Sequence, residues 1–353
     1  MIIDFQIKRF VLVIFVFIEL FCIDSLYASV FKVERTIYSD EKGLSAMSYT
    51  LQNGNMLIYH RPKSFRFVGT LPKDYSLYFK KTFKKEQAKN FGIILGSTML
   101  LYAFDEQFLH GAKDVGSFVN IPGTSHQTAL INSSFKLGKQ SVPIQFNVPT
   151  DLNSVMYFLG DGWTHTTIAL SFWVSGLISK DYRELQTASQ LGECILATGI
   201  ATQFIKHITG RESPYTTNTP RGVWRFFPNQ KDYASHVPNH DAYPTGHLAT
   251  AMATVTVIAE NYPEKRFIRP VGYSLMGLLG FAMLNNGVHW ASDYPLGIAL
   301  GYSFAKIAVS QGRTVKKEEG CQGSLRWKYK PELFPAFQMG IPEIGFRLKL
   351  AKR

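Results

Sequence analysis

Six apolar segments of similar length constrain this 353-residue chain more than any other feature. Each has about 12 to 14 residues, and they cover 91–104, 166–178, 194–205, 248–259, 271–284 and 296–309. That length is short of the ~20 residues with which a helix crosses a bilayer. Charges also close the third segment, with Glu193 before it and Lys206 after it. The pattern predicts the buried helices of an α-bundle, and a polytopic membrane protein is the alternative.

Composition indicates an anionic partner. Apolar residues make up 46% of the chain and charged residues 18%, less than the quarter typical of soluble domains. The mean hydropathy of −0.03 is lower than expected for a chain that is mostly membrane. The net charge is +12, which favours binding to phosphate, a membrane surface or nucleic acid. Because no nucleic-acid motif or basic low-complexity tract is present, we expect phosphate or a membrane and no nucleic acid.

The N-terminus has the pattern of a signal peptide. A basic pair precedes the apolar run 10–21, and residues 1–28 are predicted to be removed after Ala28. An uncleaved membrane anchor is the alternative. Cleavage would leave Cys194 and Cys321, which is not a disulfide framework. We therefore expect an exported protein, periplasmic or associated with an envelope membrane.

The mature chain is predicted to have three parts. Residues 29–90 form an extended and basic N-terminal segment, 91–312 a helical domain and 313–353 a C-terminal tail. Alternating stretches such as "NMLIYH" and "SFRFVGT" predict strands or extended loops in the first part, and Trp327 to Leu350 a hairpin or irregular tail. Tyr78 to Lys89 mixes aromatics with five lysines, which predicts membrane-surface contact or a solvated helix start.

Pro, Gly, Asn and Thr are frequent in residues 110–150 and 209–245, which predicts long loops. Long loops within a compact domain are usually functional.

Three polar clusters lie at or beyond the ends of the predicted helices. They are Lys206 with Arg211, Ser213 and Pro214; Pro244 to His247; and His289 with Asp293. His289 and Asp293 share one face of a helix at their spacing of four, as a catalytic pair or a capping pair would.

The second cluster predicts an anion site. Thr245 and Gly246 at a helix N-terminus present free backbone N–H groups and a hydroxyl, although Thr245 could also be a simple N-cap.

Together these clusters supply the groups that phosphoryl transfer needs without a metal. Lys206 and Arg211 can hold phosphate oxygens. His289 can attack phosphorus while Asp293 fixes its tautomer, and His247 can protonate the leaving oxygen.

The order and spacing of the clusters resemble the type-2 phosphatidic acid phosphatases, which share a fold with class A acid phosphatases and vanadium haloperoxidases. That family carries Lys, six residues, Arg-Pro; then Pro-Ser-Gly-His; then Ser-Arg, five residues, His, three residues, Asp. The resemblance covers about residues 150–310. It implies an all-α helical bundle and a phosphohistidine mechanism with His289, His247 and Asp293 as catalytic residues.

The chain departs from the family pattern at four positions. Ser213 stands where the first signature has arginine, and Thr245 replaces serine but keeps the hydroxyl. Ala282 and Met283 replace the Ser-Arg pair. Both arginines that grip phosphate in the family are therefore missing.

Other arginines could compensate for this loss. We predict Arg211 first and Arg225 next as phosphate-binding residues, beside Lys206, Thr245 and Gly246. Arg221 is a further candidate.

Two other groups of polar residues are predicted to have no catalytic role. The first group has residue types that could bind zinc: His236, His240, Asp241 and His247. Their spacing fits none of the usual zinc-ligand patterns, so no metal is predicted. Asp161 and His165, at the start of an apolar run, predict a helix cap or a buried structural role.

These observations predict a metal-independent phosphatase without a cofactor, acting on a phosphomonoester or diphosphate, most readily that of a lipid. The alternative is an impaired relative that binds anionic lipid or serves as an envelope structural protein. A vanadate-dependent oxidase is a more remote alternative.

Overall fold

The computed structural model describes residues 34–39, 43–63, 65–121, 123–124, 126–137, 140–317, 327–338 and 341–352. Helices dominate this part of the chain, and short strands precede, interrupt and follow them. The predicted helical bundle with a small mixed N-terminal segment is therefore confirmed. The predicted signal peptide, 1–28, lies outside the described residues, and the predicted domain limits stay predictions.

The elements follow one another in a simple order. The strands are β1 (Glu34–Ser39), β2 (Ser45–Thr50), β3 (Met56–His60), β4 (Gln127–Leu137), β5 (Gln140–Pro149), β6 (Arg313–Lys316), β7 (Trp327–Gln338) and β8 (Ile341–Lys352). The helices are α1 (Arg66–Gly69), α2 (Leu71–Thr82), α3 (Ala88–Ala103), α4 (Asp105–Phe118), α5 (Leu152–Phe158), α6 (Gly162–Ile178), α7 (Tyr182–Thr209), α8 (Gln230–Ser235), α9 (Gly246–Asn261), α10 (Ile268–Asn285) and α11 (Tyr294–Gly312). Short 3₁₀ turns lie at Lys85–Gln87, Val237–Asn239 and Ala291–Asp293.

A small antiparallel sheet packs on one end of the bundle. Its order is β1-β2-β3-β6, so the strand after α11 completes the sheet that the N-terminal segment begins. The Tyr59 hydroxyl lies 3.2 Å from the Asn261 amide oxygen at the end of α9. Arg183 on α7 donates to the Asn261 carbonyl at 2.6 Å and pairs with Glu264 at 2.6 Å. The Tyr59 contact joins the sheet to α9, and the Arg183 contacts join α7 to the end of α9 and the turn that follows it.

Helix α7 is the central element of the bundle. The Asp181 side chain caps its first turn, and Gly210 ends it in the left-handed conformation, with φ of 53°. Its small side chains Ala197 and Ala201 pack against Leu300 and Phe304 of α11. The helix therefore carries Lys206, in its last turn, to a fixed place beside α11.

Close packing of α9 on α11 depends on one glycine. A Cβ on Gly301 would lie 2.0 Å from the Ala249 carbonyl oxygen. Only a residue without a side chain allows this approach. The approach sets the position of the α9 N-terminus, where the second polar cluster begins.

Each predicted apolar segment falls on a helix: α3, α6, α7, α9, α10 or α11. The largest error is at α7, which begins at Tyr182 rather than near residue 194. Its first turns bury polar side chains: Gln186 donates to the His60 carbonyl and Gln190 accepts from Asn261. A pattern of apolar residues cannot reveal a helix face whose buried side chains are polar and hydrogen-bonded.

Two further predictions were wrong in part. The predicted loop 110–150 contains the end of α4 and the hairpin β4–β5, whose strands pair only with each other in the described sheets. Such local pairing leaves little apolar signal. The stretch "SFRFVGT", predicted as a strand or extended loop, contains α1. Residues 209–245 are largely irregular, as predicted, and β7 and β8 pair as a hairpin.

None of the helices in the described ranges combines the length and apolar character needed to cross a membrane.

Candidate active site

The three polar clusters meet at one end of the bundle. Lys206 comes from the last turn of α7, His247 from the first turn of α9, and His289 from the segment between α10 and the 3₁₀ turn Ala291–Asp293. The rings of His247 and His289 lie 6.1 Å apart, centre to centre, in an edge-to-face arrangement. One small substrate group can therefore reach both imidazoles, as the sequence predicted.

A backbone carbonyl sets the tautomer of His289. Its Nδ1 lies 2.7 Å from the Ala242 carbonyl oxygen and 3.4 Å from Asp293 Oδ2. A carbonyl oxygen only accepts hydrogen bonds, so Nδ1 carries the proton and Nε2 of the neutral ring keeps its lone pair. The sequence predicted Asp293 as the residue that fixes this tautomer. In the structure, Nδ1 lies closer to the Ala242 carbonyl than to Asp293, so Asp293 has a supporting role.

Asp293 is fully buried and held on both carboxylate oxygens. Oδ2 accepts from the Trp290 backbone N–H at 2.8 Å, and Oδ1 accepts from Arg211 at 2.5 Å. These contacts hold the carboxylate in a fixed orientation beside His289.

Arg211 has no terminal nitrogen left for a phosphate. Nη1 donates to Asp293 and to Ser292 Oγ, and Nη2 donates to Asp105 at 2.7 Å and to the Arg221 carbonyl at 3.1 Å. Its side chain is fully buried. Three aromatic rings lie within 5.3 Å of the guanidinium carbon: Tyr102, Trp224 and Trp290. These contacts occupy both terminal nitrogens, while Nε has no hydrogen-bond partner among the described residues. The phosphate-binding role of Arg211 stays a prediction, and the geometry favours a supporting role for its terminal nitrogens.

The other two candidate arginines are also engaged away from the histidines. Arg225 donates to the Asn239 carbonyl at 3.0 Å and lies 3.5 Å from a Glu212 carboxylate oxygen. Arg221 donates to the Ala103 carbonyl at 3.3 Å. Their contacts give no support to the predicted phosphate-binding role of Arg225.

The positive charge of Lys206 contributes to the lowered pKa of His247. It is buried, and its Nζ lies 3.4 Å from Asp241 Oδ2. Asp241 is partly exposed. A bound phosphate would compete with this carboxylate for the ammonium group.

Helix α9 begins at the predicted anion site. Thr245 is the N-cap residue, and its hydroxyl oxygen lies 3.5 Å from the Leu248 backbone N–H. The same hydroxyl donates to Met283 Sδ at 3.6 Å, so the methionine that replaces a signature arginine touches the threonine that replaces a signature serine. The Gly246 backbone N–H belongs to the first turn, whose donors have no partner within the helix.

Burial favours the neutral form of His247. Burial, followed by the charges of His289 and Lys206, lowers the pKa of His247 to about 3. The ring of Tyr157 lies 4.8 Å from the His247 ring, and Gly160 packs directly against it.

Sequence reasoning missed several of these residues. Tyr157, Gly160 and Asp105 lie far from the motifs in sequence, and Asp105 follows an apolar segment without any motif around it. Their contribution depends on tertiary packing.

The secondary predictions can be compared with the structure as well. Asp161 caps α6 by accepting from the Trp163 N–H, and His165 is buried with its Nδ1 2.9 Å from the Thr254 hydroxyl, so both predictions are confirmed. His236 and His240 both contact Asp232 instead of converging with His247. Across the described ranges, no three His, Cys, Asp or Glu side chains cluster as a metal site would require.

Comparison with known proteins agrees with the motif resemblance. The family model of the PAP2 superfamily matches residues 187–317, which contain all three clusters. The predicted resemblance to this superfamily is thereby confirmed for that segment, which is less than half of the chain.

Two individual proteins are similar over limited lengths. A lipid A 1-phosphatase from Porphyromonas gingivalis is 36% identical over 62 residues, 17% of this chain and 14% of that protein. A transmembrane PAP2-type phosphatidylglycerolphosphate phosphatase from Bacillus subtilis, known from a crystal structure, overlaps 45% of this chain and 76% of its own, at a TM-score of 0.33 and 16% identity. A superposition at that score is too loose to support a conclusion.

The packing of Gly160 against His247 generates a first prediction. A Cβ on Gly160 would lie 2.6 Å from His247 Cβ and 2.8 Å from Leu279 Cδ2. Gly160→Ala should therefore displace His247 and lower the free energy of unfolding by about 1–3 kcal/mol, measured by urea denaturation.

Gly162→Ala is the matched control, because a Cβ there has nothing within 4 Å. It should leave stability unchanged or raise it slightly. Equal effects of the two variants would contradict the packing argument.

Proposed function

We propose that this protein is a metal-independent phosphatase that hydrolyses a lipid phosphomonoester or diphosphate through a phosphohistidine. The observation that carries the proposal is the pairing of two imidazoles whose ring centres lie 6.1 Å apart, with His289 bonded through Nδ1 to the Ala242 carbonyl so that its Nε2 is free of that contact. The PAP2 match over residues 187–317 supports it.

The first half of the reaction uses both histidines. His289 Nε2 attacks phosphorus in line, the N–P bond forms and the bond from phosphorus to the leaving oxygen breaks. His247 gives a proton to that oxygen. Asp293 stabilises the positive imidazole ring that the attack creates.

The second half restores the enzyme. A water molecule attacks phosphorus, the N–P bond breaks, and His247 accepts the proton that the water loses. Lys206 and the α9 N-terminus would hold the phosphate oxygens throughout.

The missing signature arginines set the expected rate. Removing one preorganised donor typically costs about 10²–10³ in rate, and Ser213 and Met283 replace two such donors. The described arginines near the site are occupied elsewhere, so we expect a slow enzyme. This observation also favours the second candidate function, an anion-binding protein that retains the histidines without turnover.

Support for a lipid substrate comes from an apolar cavity beside the site. The cavity has a volume of about 800 Å³ and lies between α4, α9, α10 and α11. Leu248, which follows His247, and Ala291 contribute to its lining. The name of the Porphyromonas relative, a lipid A 1-phosphatase, agrees with this substrate class.

Phosphate release from a panel of lipid phosphates and a chromogenic phosphate ester tests the proposal. We expect release by the wild type, its loss in His289→Ala, and full activity in EDTA. Release that His289→Ala retains would contradict the role of His289, and strict loss in EDTA would indicate a metal enzyme. Tight binding of phosphate without release would support the anion-binding alternative.

His247 must gain a proton before it can act as an acid. Because burial lowers its pKa to about 3, His247 is neutral at pH 6. A bound phosphate dianion favours the charged ring, so binding should take up a proton and weaken as the pH rises.

Calorimetry of vanadate binding in two buffers of different ionisation enthalpy, at about pH 6, measures this uptake. The wild type should take up about one proton more than His247→Gln. Equal uptake by the two proteins would remove His247 from the proton-transfer role.

We further propose that the protein is exported and contacts a membrane through the corner between α2 and α3. Phe79, Phe83 and Phe91 are 55%, 70% and 40% exposed there, and exposed lysines surround them: Lys80, Lys81, Lys84, Lys85 and Lys89. Aromatics beside lysines suit the headgroup layer of an anionic bilayer.

Sedimentation with phosphatidylglycerol vesicles tests this contact. Phe79→Ser with Phe83→Ser should reduce binding, and salt should weaken it. Phe226→Ser with Phe227→Ser, which changes two exposed aromatics elsewhere, should not. Equal binding by both double variants would place the contact on another surface.

A further inference from the structure

A carboxylate from outside the family segment lies at the centre of the active-site support. Asp105 begins α4 and is fully buried, with 0% of its surface exposed. Its Oδ2 accepts from Arg211 Nη2 at 2.7 Å and from Ser292 Oγ at 2.6 Å. Its Oδ1 accepts from the Ser292 backbone N–H at 2.9 Å. One side chain therefore holds both a buried cation and the turn that carries Asp293.

We propose that Asp105 is a positioning residue of the active site, which acts through Arg211 and Ser292 on Asp293 and hence on His289. The proposal rests on the proposed function for its kinetic consequences. The contacts form a continuous buried chain. Asp105 binds Arg211, Arg211 binds Asp293 at 2.5 Å, and Asp293 lies 3.4 Å from His289 Nδ1.

The physical reason is the division of one guanidinium between two carboxylates. Arg211 directs Nη2 to Asp105 and Nη1 to Asp293, so Asp293 receives one nitrogen rather than a two-nitrogen fork. Without the Asp105 charge, Nη2 would lose its ionic partner, and the guanidinium would gain by turning toward Asp293. That movement would draw Asp293 away from the Trp290 N–H and from His289.

The charge balance points in the same direction. Asp105 and Asp293 together with Arg211 carry a net charge of −1 in a dry environment. This excess negative charge can stabilise the positive ring that forms when His289 attacks phosphorus. Neutralising Asp105 would remove this excess negative charge from the cluster.

The main experiment compares Asp105→Asn with Asp114→Asn. Asp114 lies on the same helix and is exposed, so it controls for a general effect on α4. In an initial-rate assay over a range of concentrations of the chromogenic phosphate ester, Asp105→Asn should lower kcat by about 10- to 100-fold. KM should change little, because Asp105 does not touch the substrate. A KM effect without a kcat effect, or an equal loss in both variants, would overturn the proposal.

A double-mutant cycle separates positioning from folding. Asp105→Asn keeps the ion pair between Arg211 and Asp293, whereas Arg211→Met and the double variant Asp105→Asn with Arg211→Met both leave Asp293 without its cation. Urea denaturation of all three variants shows which of them are folded, and rates are compared among those. If Asp105 acts mainly through Arg211, the double variant should be no slower than Arg211→Met alone. Losses that multiply in the double variant would overturn the proposal.

A spectroscopic measurement is independent of turnover. The His289 Nδ1–H, bonded to the Ala242 carbonyl, should give a slowly exchanging NMR signal in ¹⁵N-histidine-labelled protein, identified by its loss in His289→Gln. Its exchange with solvent should be faster in Asp105→Asn and unchanged in Asp114→Asn. Unchanged exchange in both would overturn the positioning role. Because this signal needs no substrate, failure of the phosphatase proposal would be recognised separately, as absence of phosphate release by the wild type.

Discussion

The buried guanidinium of Arg211 is the interaction on which the site depends. It joins α4 to the turn that follows α10, through Asp105 and Asp293. Breaking a buried ion pair by removing one partner typically costs about 3–5 kcal/mol, because the remaining charge is left uncompensated. The aromatic rings around it exclude water and strengthen each contact. The residues that orient the His289 imidazole are therefore held rigidly.

Electrostatics distinguish the two histidines. His289 is bonded through Nδ1 to the Ala242 carbonyl, so in the neutral ring the lone pair lies on Nε2. His247 lies beside Lys206 and His289, and burial with these neighbours lowers its pKa to about 3. In the proposed reaction, a phosphate bound beside His247 would favour the charged form of the ring. The two rings thus have environments suited to different roles.

The sequence predicted the bundle and the meeting of the three clusters, because helix periodicity and motif spacing are local properties. It did not predict that Arg211 is a structural cation. Asp105 lies 106 positions away from it, and only the packing of α4 brings the two together. The early start of α7 was missed for a related reason, since buried polar side chains such as Gln186 carry no apolar signal. The roles of Lys206, Thr245 and Gly246 in binding phosphate stay predictions.

Trapping of the covalent intermediate tests the central claim most directly. Wild-type protein would be mixed with a ³²P-labelled substrate and quenched in base, where phosphohistidine survives, and in acid, where it does not. The account predicts a base-stable, acid-labile label on the peptide that contains His289, absent from His289→Ala. Phosphate release without any labelled histidine, or a label on Thr245, would contradict it.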